Sequence, residues 1–247
     1  IMGPRQVGKS TLAEAIIRKD ERALEINGDN TDVQTMFVDV DEAKIKILLG
    51  NNNFLLVDEA QKIQNVGNML KIVADKFKEG KIIVTGSSSF KLSEAVNESL
   101  TGRKREFKLY PLSFKEMADY TSVLEESRLI EHRLIYGYYP EVVTSVGDEK
   151  EVIKELIDSY LYKDVLEENN IAKPDHLVKL VQALAFQIGS TVSATELAGL
   201  VGIDAKTVER YIEILEKSYI IFTIPSYAKN QRNELKFARK IYFWDMG

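Results

Sequence analysis

The sequence predicts an α/β fold, with a parallel β-sheet in the first part of the chain, then a helical region, then a winged helix-turn-helix. Three observations predict it. They are a glycine-rich stretch at residues 3–10 that runs into helix-forming residues, continuous apolar runs at residues 54–57 and 81–84, and a helix, glycine turn and helix spacing at residues 193–215. The 247 residues, 45% of them hydrophobic, leave room for more than one globular domain. We expect three parts, which are residues 1–112, 113–174 and 175–247.

The glycine-rich stretch fits the phosphate-binding loop pattern G-x-x-x-x-G-K-[ST] at every fixed position. In this pattern the glycines let backbone N–H groups converge on phosphate oxygens, Lys9 neutralises the β- and γ-phosphates, and the Ser10 hydroxyl can bind Mg2+. The pattern therefore predicts a P-loop NTPase domain that binds a nucleoside triphosphate with Mg2+. The residues expected to contact the nucleotide are Gly3, Pro4, Arg5, Gln6, Val7, Gly8, Lys9, Ser10 and Thr11.

Only Ile1 and Met2 precede this loop. A phosphate-binding loop normally follows the C-terminal end of a buried strand. We therefore expect the first strand of the domain to be almost entirely missing from this sequence, as in a fragment of a longer chain.

The apolar run at residues 54–57 leads directly into Asp58 and Glu59. A strand covered on both faces of a parallel sheet delivers the residues that follow it to the C-terminal edge of the sheet. We expect Asp58 to hold Mg2+ there and Glu59 to activate the attacking water. The alternative is that both are solvated carboxylates after a core strand.

Residues 81–86 form the next predicted strand and run into a serine-rich stretch in which Thr85 and Ser87 are candidate sensors of the γ-phosphate. The alternative for this stretch is a simple turn. Apolar residues at helical spacing over residues 66–77 predict a helix between the two strands, and Leu24 to Ile26 is a candidate short strand.

Arg103 is the candidate for stabilising charge on the transferred phosphate, in its own chain or in a neighbouring one. The alternative is a surface arginine beside a strand. The alternating residues 106–110, which stop at Pro111, predict that strand.

Several short segments, spread over nearly the whole chain, together resemble the motifs of one known protein family. They are residues 3–11 (GPRQVGKST), 55–61 (LLVDEAQ), 85–89 (TGSSS), 100–103 (LTGR), 111–116 (PLSFKE), 136–142 (YGYYPEV), 162–164 (YKD) and 240–247 (KIYFWDMG). Together they resemble prokaryotic AAA+-type ATP-binding proteins with a C-terminal domain of unknown function. The resemblance implies an AAA+-like sheet and ATP rather than GTP, and the sequence lacks the guanine-reading motif N-K-x-D. Such proteins usually continue into a region that resembles restriction-type nuclease folds, so we expect this sequence to be truncated at its C-terminus.

The second half of the chain changes to helical periodicity over residues 114–188. Beyond it, a short helix from residue 193, a glycine turn and a helix over residues 205–215 have helix-turn-helix spacing. Residues 219–224 and 240–243 can pair as an antiparallel ribbon and so complete a winged helix.

The winged helix is a candidate for binding DNA or a protein, and its wing is rich in basic residues. The helix at residues 205–215 also carries acidic residues, which is not typical of a phosphate-seeking face. A solvated basic loop is therefore the alternative for the wing. The basic residues of the wing are Lys229, Arg232, Lys236, Arg239 and Lys240.

The amino-acid composition excludes several kinds of site and several classes of protein. The chain has no cysteine, which excludes disulfides, thiolate zinc sites and cysteine nucleophiles, and its two histidines lie far apart. The apolar runs are too short for a membrane span, and the net charge of −5 argues against a protein coated in nucleic acid. We expect a cytoplasmic protein without a membrane partner, which could form a homo-oligomer or bind another protein.

The sequence thus predicts a Mg2+-dependent ATPase in which Lys9, Asp58, Glu59 and Arg103 act on ATP, coupled to a winged-helix module that binds DNA or protein. The main alternative is an ATP-gated binding switch with negligible turnover. A small-molecule kinase ranks last because the sequence shows no acceptor site.

Overall fold

The computed structural model describes residues 1–18, 20, 22–37, 40–77, 80–87, 100, 102–159, 165–166, 171, 173–225 and 239–247. The chain divides into two compact units, residues 1–110 and residues 111–247. Each unit has its own three-stranded sheet. The sequence-predicted parts at 113–174 and 175–247 both fall in the second unit.

The first unit alternates helices with strands that pair in parallel, as the apolar runs predict. The strand order is β1-β2-β3, and every residue of the central strand β2 is buried. Because β2 has neighbours on both sides and helices to cover it, it needs a continuous apolar run rather than an alternating one. The elements are α1 (Lys9–Ile17), β1 (Ala23–Asn27), α2 (Thr31–Met36), α3 (Glu42–Leu49), β2 (Phe54–Asp58), a 3-10 turn (Ala60–Lys62), α4 (Val66–Lys76) and β3 (Lys81–Val84).

Met2 extends this sheet beyond β3 by single bridges, which are parallel to Gly86 on one side and to Lys108 on the other. Its N–H donates to the Phe107 carbonyl and its carbonyl accepts from the Leu109 N–H, both at 2.8 Å. The predicted strand over residues 106–110 is wrong, because this segment pairs only around Lys108. The bridges bring the start of the glycine-rich loop to the same sheet edge as the ends of β2 and β3.

The second unit begins with a series of short helices, as the periodicity of residues 114–188 predicts. Ser113 caps the first of them in a reciprocal capping box with Glu116. The helices are α5 (Phe114–Tyr120), α6 (Val123–Arg128), α7 (Ile130–Tyr136), α8 (Pro140–Thr144), α9 (Glu149–Ile157) and α10 (Pro174–Phe186).

The remainder of the unit has the predicted two helices and antiparallel ribbon, with a short extra strand. Gly202 ends the first helix in a left-handed conformation, and the Asp204 carboxylate caps the second by accepting from the Thr207 N–H. The elements are β4 (Thr191–Val192), α11 (Ala194–Val201), α12 (Ala205–Lys217), β5 (Ile221–Ile224) and β6 (Arg239–Phe243), in the sheet order β4-β6-β5. The core beneath them is apolar and includes Leu177, Leu197, Ile212, Ile221 and Ile241.

The winged-helix interpretation stays a prediction, because most of the wing lies outside the described residues. Lys229, Arg232 and Lys236 lie outside the described residues, whereas Arg239 and Lys240 are described and open β6. Among the helices that the structure describes, none is both long and apolar enough to cross a membrane.

Candidate functional site

The glycine-rich loop adopts backbone conformations that favour glycine at two of its fixed positions. Gly3 has a φ of 155°, and a Cβ atom there would lie 1.9 Å from the Leu109 carbonyl oxygen. Gly8 has a φ of 91° and stands immediately before α1, and no atom of the described residues lies within 4 Å of the position that a Cβ atom would take. The first glycine is thus required by a close approach and the second by the turn into the helix.

Lys9 opens α1 and is buried, with 4% of its surface exposed. Its ammonium group donates to the Pro4 carbonyl oxygen at 2.6 Å, so the side chain folds back onto the glycine-rich loop that precedes it. The N–H groups at the start of a helix and the positive end of the helix dipole favour an anion. The loop, the lysine and α1 therefore present positive potential at one end of the sheet.

Three oxygen-bearing side chains meet beside the loop. The Ser10 hydroxyl lies 2.9 Å from both carboxylate oxygens of Asp58, at the end of β2. The Thr85 hydroxyl, just beyond β3, also hydrogen-bonds Asp58. Asp58 and Thr85 are buried, whereas Ser10 is half-buried. A carboxylate with a hydroxyl at this distance is an oxygen donor set of the kind that Mg2+ prefers, so the residues fit that ion.

Glu59 follows Asp58 with a left-handed backbone, at a φ of 48°. Thr85 holds this turn twice, since its hydroxyl accepts from the Glu59 N–H at 3.2 Å and its carbonyl accepts from the Ala60 N–H at 3.1 Å. Gly28, directly after β1, packs against the turn so closely that a Cβ atom would lie 2.4 Å from the Glu59 carbonyl oxygen. The carboxylate is therefore carried on a turn fixed by both neighbouring strands.

The Glu59 carboxylate closes a ring with Gln61 and Ser87. The Gln61 side-chain amide donates to Glu59 Oε2 at 2.5 Å and to the Ser87 hydroxyl oxygen at 3.0 Å. The Ser87 hydroxyl in turn lies 3.4 Å from the same Glu59 oxygen. We name the group of six side chains described in these three paragraphs the sheet-edge site, and its members are Ser10, Asp58, Glu59, Gln61, Thr85 and Ser87.

The structure brings together most of the side chains that the sequence predicts as a site, but Arg103 has another partner. Arg103 pairs with Asp75 of α4, and its side chain is 58% exposed. Gln6 and Thr11 of the loop are exposed, while Pro4 and Val7 are buried. Arg103 thus remains only a candidate for contact with a phosphate.

Two members of this region escaped sequence reasoning. Gln61 lies only two residues after Glu59, but in this part of the sequence only the carboxylates of Asp58 and Glu59 have an obvious chemical role. Gly28 is recognisable as a glycine directly after a strand, which is a general sign of close backbone approach.

A second polar cluster lies in the second unit, between segments far apart in the sequence. The Asp245 carboxylate accepts from the Tyr138 N–H at 2.7 Å and from the Gly247 N–H at 3.0 Å. Gly137 allows this approach, since a Cβ atom on it would lie 1.8 Å from an Asp245 oxygen. Burial raises the pKa of Asp245, against the effect of the two N–H donors.

A buried ion pair stands beside this cluster. Arg133 Nε donates to Glu126 Oε1 at 3.0 Å, and both side chains are less than a tenth exposed. The Arg133 guanidinium lies 5.6 Å from the centre of the Tyr138 ring. Burial, together with the Glu126 carboxylate, raises the pKa of Tyr138 to about 12. We name these five residues the buried junction, and they are Glu126, Arg133, Gly137, Tyr138 and Asp245.

The acidic residues of α12 have partners within the second unit. Glu209 pairs with Arg239, Glu213 pairs with Lys217 at 2.8 Å, and Glu216 accepts from both the N–H and the hydroxyl of Thr223. The α12 acids thus neutralise one basic residue of the predicted wing and fasten the helix to β5.

Comparison with known proteins agrees with this division of the chain. Residues 1–118 match the family model of the AAA domain, and residues 127–247 match that of a domain of unknown function (DUF8612). The AAA match supports a nucleotide-binding, ATPase-like P-loop domain in the first half of the chain.

Similar full-length proteins are uncharacterized. Protein MJ1544 of Methanocaldococcus jannaschii is 27% identical over 92% of this chain and 56% of its own length. A protein of Haemophilus influenzae is 27% identical over 78% of this chain and 51% of its own, and Rv2008c of Mycobacterium tuberculosis is 23% identical over 100% and 54%. The chain spans about half the length of the curated relatives it matches.

Proposed function

We propose that the chain binds ATP with Mg2+ and hydrolyses it to ADP and phosphate, and that the nucleotide state controls the binding of DNA or protein by a winged helix in the second unit. The observation that carries this proposal is the meeting of Ser10 and Asp58 at 2.9 Å beside the glycine-rich loop. Glu59 adds a carboxylate next to that pair, on a turn held by Thr85. This is the set of groups that phosphoryl transfer to water requires.

The loop binds the triphosphate. Its backbone N–H groups and the start of α1 face the phosphate oxygens, and Lys9 exchanges its bond to the Pro4 carbonyl for the β- and γ-phosphates. The exchange keeps the ammonium group hydrogen-bonded in both states, and the phosphates add the negative charge that the neutral Pro4 carbonyl lacks.

Ser10 and Asp58 are the residues that would hold Mg2+. When bound, the ion neutralises charge that develops on the phosphate oxygens. Thr85 keeps the Asp58 carboxylate oriented by hydrogen-bonding one of its oxygens.

Glu59 acts as the general base. The water oxygen forms a bond to the γ-phosphorus while the bond from that phosphorus to the ADP oxygen breaks, and the water proton passes to the Glu59 carboxylate. Ser87 reaches the same carboxylate from the end of β3, which suits a residue that senses the γ-phosphate.

ATP is preferred over GTP in this proposal because the sequence contains no N-K-x-D motif and because the AAA match supports an ATPase-like domain. The charge of the second unit does not decide whether its partner is DNA or a protein. Since Arg239 pairs with Glu209, part of the basic wing is neutralised by α12 itself, and a protein partner is as compatible with this surface as DNA.

The test is Mg2+-ATP turnover by the full chain, with and without duplex DNA, for the wild type, Lys9→Ala and Glu59→Gln. Lys71→Ala and Glu25→Gln are matched controls, since both replace exposed residues of the same unit. We expect turnover to fall sharply in Lys9→Ala and Glu59→Gln while the controls resemble the wild type. Binding of ATP without turnover by the wild type would instead support an ATP-gated switch. Stimulation by DNA would identify the partner of the second unit.

A further inference from the structure

We propose that Gln61 is a positioning residue for Glu59, which fixes the carboxylate of the general base and links it to Ser87. The inference rests on the proposed hydrolysis, and it concerns a residue that the loop and carboxylate motifs leave without a role. Its basis is the ring of hydrogen bonds in which one amide nitrogen serves both neighbours, at 2.5 Å to Glu59 and 3.0 Å to Ser87.

The 3-10 turn that carries Gln61 does not depend on this side chain. The turn is closed by backbone bonds from the Lys62 N–H to the Glu59 carbonyl at 3.0 Å and from the Ile63 N–H to the Ala60 carbonyl at 3.1 Å. A further backbone bond from the Ala60 N–H reaches the Thr85 carbonyl across to the end of β3. The amide of Gln61 is therefore free to serve the carboxylate rather than the fold.

The other end of the amide supports the same conclusion. Gln61 Oε1 is buried and has no hydrogen-bond partner within the part of the chain that the structure describes. A buried amide that served stability alone would have both of its polar atoms paired, because an unpaired one is unfavourable. The side chain keeps its N–H groups on Glu59 and Ser87 at the expense of its oxygen.

The hydrogen bond from Gln61 to the Glu59 carboxylate would help catalysis by orienting the general base. A carboxylate at the tip of a glutamate has several rotamers, and a general base acts only when one oxygen faces the water. The Gln61 N–H occupies Oε2, which restricts the rotation of the group and leaves the other oxygen to accept the proton. Because the same amide nitrogen also donates to the Ser87 hydroxyl oxygen, a movement of Ser87 at the γ-phosphate would be transmitted to the base.

The experiment compares kcat for ATP hydrolysis with the Kd for ATP in the full chain. Gln61→Met keeps the length of the side chain without its N–H groups, and Gln61→Glu places a second carboxylate against Glu59. Gln64→Met is the matched control, because Gln64 lies three residues further on and is exposed. We expect kcat to fall about ten- to a hundredfold in Gln61→Met and further in Gln61→Glu. The Kd for ATP and the unfolding midpoint of Gln61→Met, and all properties of Gln64→Met, should stay near the wild type.

A double variant separates positioning from a general structural role. In Glu59→Gln the base is absent, so adding Gln61→Met should lower kcat no further. An additional loss in the double variant, or a kcat of Gln61→Met equal to or above that of the wild type, would overturn the inference alone. Absence of turnover in the wild type, with intact ATP binding, would overturn the proposed hydrolysis and the inference with it.

Discussion

The sheet-edge site of the first unit and the buried junction of the second unit both keep a carboxylate away from water, but they give it different partners. Asp58 is hydrogen-bonded by the hydroxyls of Ser10 and Thr85, whereas Glu126 is bound by the guanidinium of Arg133. A guanidinium neutralises the carboxylate permanently. Hydroxyls leave its negative charge in place, and a cation can still be added.

Because of this difference in partners, we expect substitutions in one region to affect mainly activity and substitutions in the other to affect mainly stability. Substitutions at the sheet-edge site should change the chemistry of the folded chain with small effects on its unfolding. Substitutions at the buried junction should do the reverse, because an unpaired buried charge destabilises the fold directly. Removing comparable groups from the two regions tests this contrast.

The largest effect is expected from Glu59→Gln. The amide cannot accept the water proton, so kcat should fall about a hundred- to ten-thousandfold. The Kd for ATP and the unfolding midpoint should remain near the wild type, because Glu59 is not a core residue and glutamine has the same shape. Steady-state turnover, ATP titration and thermal unfolding check these three quantities. A large loss of stability in this variant would break the contrast between the two regions.

The next effect is expected from Arg133→Met in the second unit. The variant leaves Glu126 buried without its counter-charge, which should lower the free energy of unfolding by about 3–5 kcal/mol. Arg128→Met is the control, since Arg128 is exposed on α6. Urea unfolding of the full chain measures both.

The Arg133 prediction has an internal check. Adding Glu126→Gln to Arg133→Met removes the unpaired charge and should recover part of the lost stability. If Arg133→Met unfolds at the same urea concentration as Arg128→Met, the ion pair does not stabilise the fold. The expected difference between the buried junction and the sheet-edge site is then wrong for the buried junction.

A pair of glycines sharpens the comparison within the second unit. Gly137 and Gly147 both have positive φ angles, 75° and 99°. Among the described residues, only Gly137 has neighbours, Asp245 and Gly247, within 4 Å of its missing Cβ atom. Gly147→Ala should therefore cost about 1 kcal/mol from backbone strain alone. Gly137→Ala should cost about 2–4 kcal/mol because the Asp245 contact must also break. Equal losses in urea unfolding would show that the approach of Asp245 is not needed for stability.

The two regions also differ in how far the sequence predicts them. The glycine-rich loop pattern names Ser10. Asp58, Glu59, Thr85 and Ser87 are named because they end or follow strands, and parallel strands end at one edge. The AAA match and the parallel sheet agree with that reasoning. Gln61 is missed because its role depends on a distance of 2.5 Å that no pattern encodes, whereas Gly28 follows a strand, which is a general sign of close backbone approach.

The buried junction could not be predicted, although two of the segments that carry the family resemblance contain three of its five residues, Gly137, Tyr138 and Asp245. Tyr138 and Asp245 are separated by 107 positions, and only the folded chain brings them together. The prediction of a strand at residues 106–110 failed for a related reason. Alternation describes one segment, whereas a strand needs a partner, and the only bridge in this segment joins Lys108 to Met2. The strand β4 has two residues, which is too short to produce a pattern.

The smallest predicted effect is a pH dependence of stability that arises from Asp245 in the buried junction. Burial raises the pKa of Asp245 above the ordinary value of 3.8, so the folded chain holds this proton more tightly than the unfolded chain does. The stabilisation is therefore present below the ordinary pKa and is lost as the pH rises through the raised pKa. In Asp245→Asn the group no longer titrates, and the wild type should lose stability relative to the variant over that window.

Urea unfolding of the wild type and Asp245→Asn at a series of pH values from about 3.5 upwards measures this difference, because carboxylates shared by both chains cancel. Glu131→Gln, at an exposed position on α7, is the control for removal of a single acid. A stability difference that rises with pH, in favour of the wild type, would mean that the Tyr138 and Gly247 N–H donors outweigh burial. Asp245 would then be a carboxylate whose hydrogen bonds, rather than its burial, decide its contribution to stability.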